Sequence, residues 1–217
     1  MILLLFGPPG SGKGTQSLHL ARKFQIPAIS TGEIFRAEYR AGTDLGRLSN
    51  QIIANGSLVG DDLVNGIVAA RTARPDCAGG FLLDGYPRTV PQAVFFAGLL
   101  RERRLPEPAV IHLGVAEEQL VGRLTARRQC PKCGHIYNLL SRPPRRPGVC
   151  DDDGEALSTR DDDREAVIRQ RLAAYRELTG PVLDYYGRAA VITVDGALPP
   201  DQVTQAIENA VPQTAAQ

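Results

Sequence analysis

The apolar run Ile2-Leu3-Leu4-Leu5-Phe6 passes directly into Gly7-Pro8-Pro9-Gly10-Ser11-Gly12-Lys13-Gly14-Thr15. A short run that is apolar at every position predicts a strand covered on both faces, as in a parallel sheet between helix layers. The glycines let the backbone turn tightly and aim successive N–H groups inward, toward the positive end of the helix that follows. Such a turn cradles phosphate, and Lys13 adds a mobile ammonium for it. An ordinary glycine-rich strand–helix turn is the competing reading, and the strand before and helix after disfavour it. The pattern glycine, four residues, glycine, lysine departs from its usual form in one place. Gly14 stands where a serine or threonine hydroxyl normally ligates magnesium, and the hydroxyl arrives one residue later at Thr15.

Lys13, Lys23 and Lys132 are lysine, and the remaining members of the 25 basic residues are arginine. Composition bias accounts for most of that surface arginine. A lysine at position 13, where a thin flexible cation is required and a planar guanidinium would not fit, is an independent sign that the loop is functional. A formal net charge of +1 gives no basic field for nucleic acid or an anionic membrane. No stretch approaches the roughly 20 apolar residues of a membrane span. The apolar start lacks the basic region of a signal peptide, so the cytosol is the expected compartment.

At 217 residues the chain can build one substantial core with small insertions. Strands are predicted over 2–6, 28–30, 81–84, 109–115 and 190–194. Helices are predicted over 13–24, 31–40 (capped by Thr31), 43–54, 61–74, 90–104, 116–128, 162–187 with a break at Gly180-Pro181, and 200–211. Leu18, Ala21 and Phe24 are spaced to face a core, and residues after Pro212 read as a frayed tail. Short apolar strands separated by helices predict an α/β fold, a parallel sheet with helices on both faces.

Residues 129–159 break the alternation, being rich in proline, glycine, arginine and aspartate with almost no aliphatic core. This segment reads as an inserted lid that needs a staple. Cys130-Pro131-Lys132-Cys133-Gly134 is a metal knuckle, and Cys150-Asp151-Asp152-Asp153 repeats its spacing with a carboxylate in the last place. Three thiolates and one carboxylate suit tetrahedral zinc. Asp153 mirrors the first knuckle, with Asp151, Asp152 and His135 as competitors for the fourth position. A disulfide is the rival reading, disfavoured for clustered cysteines in a cytosolic chain. Cys77 stands apart as a small buried or half-buried side chain.

Four stretches taken with the knuckles resemble the adenylate kinase family in its long-lid, zinc-bearing bacterial form: Gly7 to Thr15, Ser30 to Arg36, Phe81 to Arg88, and Thr159 to Asp162. Arg123-Leu124-Thr125-Ala126-Arg127-Arg128 also fits, and the resemblance spans nearly the whole chain. It implies reversible phosphoryl transfer from MgATP to AMP, giving two ADP, by a monomer with no nucleic-acid or membrane partner. It also implies a nucleoside-monophosphate-kinase core (residues 1–29, 60–128 and 160–217), an AMP-binding insertion (30–59) and a zinc-stapled lid (129–159).

By that resemblance Gly10, Ser11, Gly12, Lys13, Gly14 and Thr15 bind ATP, with Arg127, Ile136 and Tyr137 of the lid and the Leu198 carbonyl near the adenine. Thr31, Arg36, Ser57, Leu58, Val59, Gly85, Tyr86, Pro87, Arg88 and Gln92 are matched to AMP contacts, with Arg160 and Arg171 arriving as the lid closes. Gln92 offers a donor and an acceptor to an adenine edge. Arg123 and Arg127, four apart, are expected on one helix face aimed at phosphate. Lys13, Arg88, Arg123, Arg127, Arg160 and Arg171 carry the chemistry, since guanidinium forks grip phosphate oxygens in pairs. Asp84 resembles the carboxylate that holds magnesium through water. Glu33 replaces the aspartate common in such motifs. A UMP or CMP kinase of the same fold and a non-catalytic nucleotide-dependent zinc module are the rivals, and the long lid and Gln92 favour AMP.

Overall fold

The computed structural model describes residues 1–211; the predicted tail after Pro212 lies outside them. A five-stranded parallel sheet of β1 (Ile2–Phe6), β2 (Ala28–Ser30), β3 (Phe81–Asp84), β4 (Ala109–Gly114) and β7 (Ile192–Asp195) runs in the order β2-β3-β1-β4-β7. Every residue of β1 is buried, and its side chains alternate between two cores. Ile2, Leu4 and Phe6 pack with Phe96 and Leu99 of α5 (Val90–Glu102) and Val182 of α8 (Gly180–Tyr185). Leu3 and Leu5 pack with Leu20 of α1 (Lys13–Phe24) and Val203 and Ile207 of α9 (Pro200–Ala210). Thus the uninterrupted apolar run becomes a central strand with helices on both faces.

The chain leaves β1 toward β2 on one side and leaves β3 toward β4 on the other. The C-terminal ends of β1 and β3, paired through Leu5 and Asp84, therefore flank the topological switch point where such sheets bind ligands.

Between β2 and β3 lie α2 (Thr31–Arg40), α3 (Asp44–Ala54) and α4 (Asp61–Thr72). The first two pack closely, because a Cβ on Gly46 would fall 2.3 Å from the Glu38 carbonyl carbon. The cap of α2 is Ser30, whose hydroxyl accepts the Glu33 N–H, and Thr31 is already helical. Leu18 is 58% exposed, and the buried face of α1 is instead Gln16, Ser17 and Leu20. Gln16 turns inward because its amide bonds Pro200 and Thr204 of α9.

The predicted helix over 116–128 is shorter. α6 covers Glu117–Thr125, and the chain then extends into β5 (Arg127–Gln129), which pairs antiparallel with β6 (Ile136–Asn138). The long pattern over 162–187 divides into a 3₁₀ turn at Asp161–Asp163, α7 (Glu165–Ala174), a π-helical turn at Tyr175–Thr179, and α8. The irregularity thus precedes Gly180-Pro181, since Pro181 lies in the first turn of α8, where it needs no N–H partner. The last strand begins at Ile192, after a 3₁₀ turn at Arg188–Ala190.

Candidate active site

The loop after β1 is shaped by glycine where the backbone demands it. Gly12 caps α1 in the left-handed region (φ 97°), and the loop meets the helix without a side-chain cap. Lys13 folds over the loop, Nζ donating to the carbonyls of Gly7 at 2.6 Å and Pro8 at 3.0 Å. Ser11 Oγ is buried with no hydrogen-bond partner among the described residues. Gly14 and Gly12 have open space at the Cβ position, which leaves room for an anion against the backbone.

Burial lowers the Lys13 pKa to about 8; Asp84 opposes that shift, while Arg88, Arg171 and Arg127 deepen it. Asp84, closing β3, has its pKa raised by burial, against the pull of Lys13, Arg88 and Arg36. Arg88 and Arg171 are lowered first by burial; Arg171 is the next cause at Arg88, and Arg127 and Arg36 act on Arg171. Arg160 falls to about 9 through burial, then Arg127 and Arg36. These mutual shifts describe a cluster of cations short of negative charge, the electrostatic form of a polyanion site.

Carboxylates seat the arginines. Arg127 forks onto Asp163 (2.7 and 2.5 Å), whose side chain is fully buried. Arg171, reaching from α7, donates to the Asp162 carbonyl (2.8 Å) and pairs with the carboxylates of Asp162 (3.0 Å) and Asp163 (3.2 Å). Burial would raise the Asp162 pKa, yet Arg171, Arg127, Arg160 and Arg36 hold it below its ordinary value. Glu33 accepts from Arg36 (2.7 Å) and Arg160 (3.2 Å), joining α2 to the chain that follows the β5–β6 segment. The sequence gives Asp163 no evident role and marks Glu33 only as a conservative replacement of the family's usual aspartate, expected to leave the chemistry unchanged. The available clue is the run of acidic residues Asp161, Asp162 and Asp163 directly after Arg160.

Arg123 and Arg127 do not share a helix face. Arg127 lies on β5, while Arg123 on α6 donates to the carbonyls of Gly196 (2.8 Å) and Ala197 (3.3 Å), bracing the loop that leads to Leu198. After β3, Thr31 Oγ1 donates to the Gly85 carbonyl (3.1 Å), as does Arg88 Nε (2.8 Å). Tyr86 is buried, its hydroxyl donating to Asn65, and precedes Pro87 through a cis bond. The Gln92 amide is held at both ends: Oε1 accepts the Arg88 N–H and Nε2 donates to Asp61, each at 2.8 Å. One N–H and one oxygen lone pair remain for a base edge, and the two bonds fix the orientation in which they are offered. Ser57 and Leu58 border a groove of about 360 Å³ against Gln170 and Ala173 of α7, and Val59 is buried in the core.

In the 129–159 segment the side chains of Cys130, Cys133, Cys150 and Asp153 place one ligand atom each within 4.8 Å of the others. Cys133 and Cys150 sulfurs are 3.6 Å apart, too far for a disulfide and close to the ~3.8 Å edge of a tetrahedron with 2.3 Å zinc–sulfur bonds. Asp151 instead accepts the Arg145 N–H, and Asp152 pairs with His135, so the competitors are otherwise occupied. The donor set fits zinc. Ile136 is exposed, but Tyr137 is 2% exposed and packs beneath it with Cys130 and Cys150. Strand alternation turns its ring into the segment's interior while Ile136 faces out.

A family model described as adenylate kinase matches residues 5–191. The adenylate kinase of Kosmotoga olearia is 45% identical over 208 residues, covering 95% of this chain and 97% of that one. That of Trichlorobacter lovleyi is 48% identical over 192 residues (88% and 90%), and that of Methanothrix thermoacetophila 46% over 198 (91% and 92%). Joined with the parallel sheet and the cation-lined loop at its switch point, these matches show that the chain belongs to the adenylate kinase family.

Proposed function

We propose that the protein transfers a phosphoryl group reversibly from MgATP to AMP, yielding two ADP. The observation that carries this reading is the convergence of Lys13, Arg88, Arg127, Arg160 and Arg171 at the end of β1 and β3, where burial and neighbouring cations lower the pKa values of Lys13, Arg88, Arg160 and Arg171. Moving a phosphoryl group between two nucleotides needs in-line positioning and cations around the transferring oxygens more than it needs covalent chemistry. The loop N–H groups and Lys13 hold the donor phosphates. Arg88 and Arg36 hold the acceptor phosphate. Arg127, Arg160 and Arg171 approach the moving group, preoriented by Asp162, Asp163 and Glu33, so little reorganisation remains for the reaction itself. Exclusion of water by the 129–159 lid and the 30–59 insertion favours transfer over hydrolysis.

Magnesium, when bound, neutralises and orients the donor phosphates. Asp84, an oxygen donor beside Lys13, is the residue that would hold it through water, in keeping with Gly14 at the place of the usual loop hydroxyl. Cys130, Cys133, Cys150 and Asp153 would hold a structural zinc away from the substrates. We assign the protein to the cytoplasm as a monomer, consistent with its near-neutral charge and the lack of a membrane-spanning helix among the described residues.

The test is a stoichiometric one. Purified protein with MgATP and AMP, followed by phosphorus NMR, should form two ADP for each AMP consumed, and AMP should disappear only when ATP is present. ATP binding without ADP formation would favour a nucleotide-dependent binding module instead.

A further inference from the structure

Tyr137 occupies an unusual place for a polar residue in so small a core. Its hydroxyl lies 3.5 Å from Cys150 Sγ and accepts the Asp151 N–H at 2.8 Å. Its ring stacks on that of His135, centroids 4.4 Å apart and 13° from parallel, and His135 is in turn paired with Asp152. The residue on β6 is thus tied to three consecutive positions of the second knuckle: Cys150, Asp151 and Asp152. In the first knuckle Cys130 Sγ receives a backbone donor, the Cys133 N–H at 3.4 Å. Cys150 Sγ likewise receives the backbone N–H groups of Asp152 and Asp153, and the Tyr137 hydroxyl is a further contact to it from a side chain across the hairpin.

The direction of the Tyr137–Cys150 bond follows from the ligand chemistry. The Asp151 N–H already occupies an acceptor site on the phenol oxygen, which leaves the hydroxyl hydrogen to be placed. A sulfur bound to metal is a thiolate and has no proton to give. We infer that Tyr137 is a positioning residue of the metal centre, donating its O–H to the Cys150 thiolate and so setting the strength with which the second knuckle holds the ion. This rests on the metal reading above. Three thiolates and a carboxylate overcompensate a divalent ion, and a donor to one sulfur withdraws part of that excess while fixing the ligand's orientation.

The experiment is cobalt and zinc titration of the full chain and of Tyr137→Phe, which keeps the ring and its stacking. Zinc affinity, measured against a chromophoric chelator, should fall about tenfold or more. The thiolate-to-cobalt charge-transfer band should move to longer wavelength, because a sulfur deprived of that hydrogen bond gives up an electron more easily. Unchanged affinity with an unmoved band would overturn the inference. So would weaker binding with an unmoved band, the mark of a packing role alone. A readout free of variants is the Tyr137 hydroxyl proton of wild-type protein loaded with a spin-half cadmium isotope. Scalar coupling to the metal supports the O–H donation, and a resolved proton without coupling contradicts it. If the wild-type chain binds neither cobalt nor zinc, the metal reading itself has failed, which is a separate result.

Discussion

The sheet end that bears Lys13 and the hairpin segment that bears Cys130 hold their side chains in place by different means. Around β1 the work is done by burial: Leu3, Leu4 and Leu5 are all but inaccessible, and two apolar cores close over them. In the 129–159 segment the buried cluster is only Cys130, Tyr137 and Cys150, with partly buried Leu157. A buried apolar side chain contributes about 1.5–3 kcal/mol, against roughly 1–2 kcal/mol of backbone entropy for every residue ordered. The sheet meets that cost with apolar area. The segment cannot, and it brings Cys130, Cys133, Cys150 and Asp153 together instead, a donor set that would give local order around a metal without enlarging a core. On the proposed reading of this segment as a lid over nucleotide, rigidity of that kind would be internal and would not depend on packing onto the sheet.

The comparison breaks most visibly on metal removal. A structural zinc supplies on the order of 10 kcal/mol to the folding of its own segment. Chelation, or Cys150→Ser, should therefore expose residues 129–159 to protease while the sheet retains its far-UV circular dichroism. Simultaneous loss of both would show that the two regions are not held independently.

Lys13→Met comes next. Loss of one preorganised donor to the transferring phosphates should lower turnover by about 10²–10³-fold, with no loss in melting temperature, since a cation crowded by Arg88, Arg171 and Arg127 costs the fold stability. Near-normal turnover would remove Lys13 from the mechanism. Leu83→Ala, in β3, should cost about 3 kcal/mol through its cavity, lowering the melting temperature of the sheet without altering zinc affinity.

The smallest effect is one of pH. The Lys13 pKa is about 8 in the fold against 10.5 as its ordinary value. Between those values the unfolded chain holds more protons, so this residue's contribution stabilises the fold as pH rises through that window. Nucleotide binding has the opposite sense, because phosphate favours the ammonium. Calorimetry in buffers of different ionisation enthalpy should detect proton uptake on ATP binding near pH 8, absent in Lys13→Met.

What could be read from the chain differs between the same two regions. The apolar run, the glycine loop and the strand ending at Asp84 are local signals, and each element appears where its residues place it. Both knuckles were equally legible, because ligand spacing is short-range. The partners of the arginines were not. Asp163 beneath Arg127 is 36 positions away, and Glu33 beside Arg160 is 127 away, and no periodicity reports such a pairing. Arg127 departs from its expected place on one helix face with Arg123 for a related reason: β5 begins where a continued helix was expected, and the switch from a helical to a two-residue period decides which way a side chain faces. Leu18 shows the same limit in reverse, since polar contacts of Gln16 to α9 decided which face of α1 turns inward.

The central claim, transfer between ATP and AMP at the end of β1 and β3, is tested most directly by initial rates of ADP formation from MgATP with AMP, GMP, UMP and CMP in parallel. The account predicts a kcat/KM for AMP at least about 10²-fold above that for each of the others, as expected of a site that hydrogen-bonds the base edge. A pyrimidine monophosphate matching or exceeding AMP would contradict it.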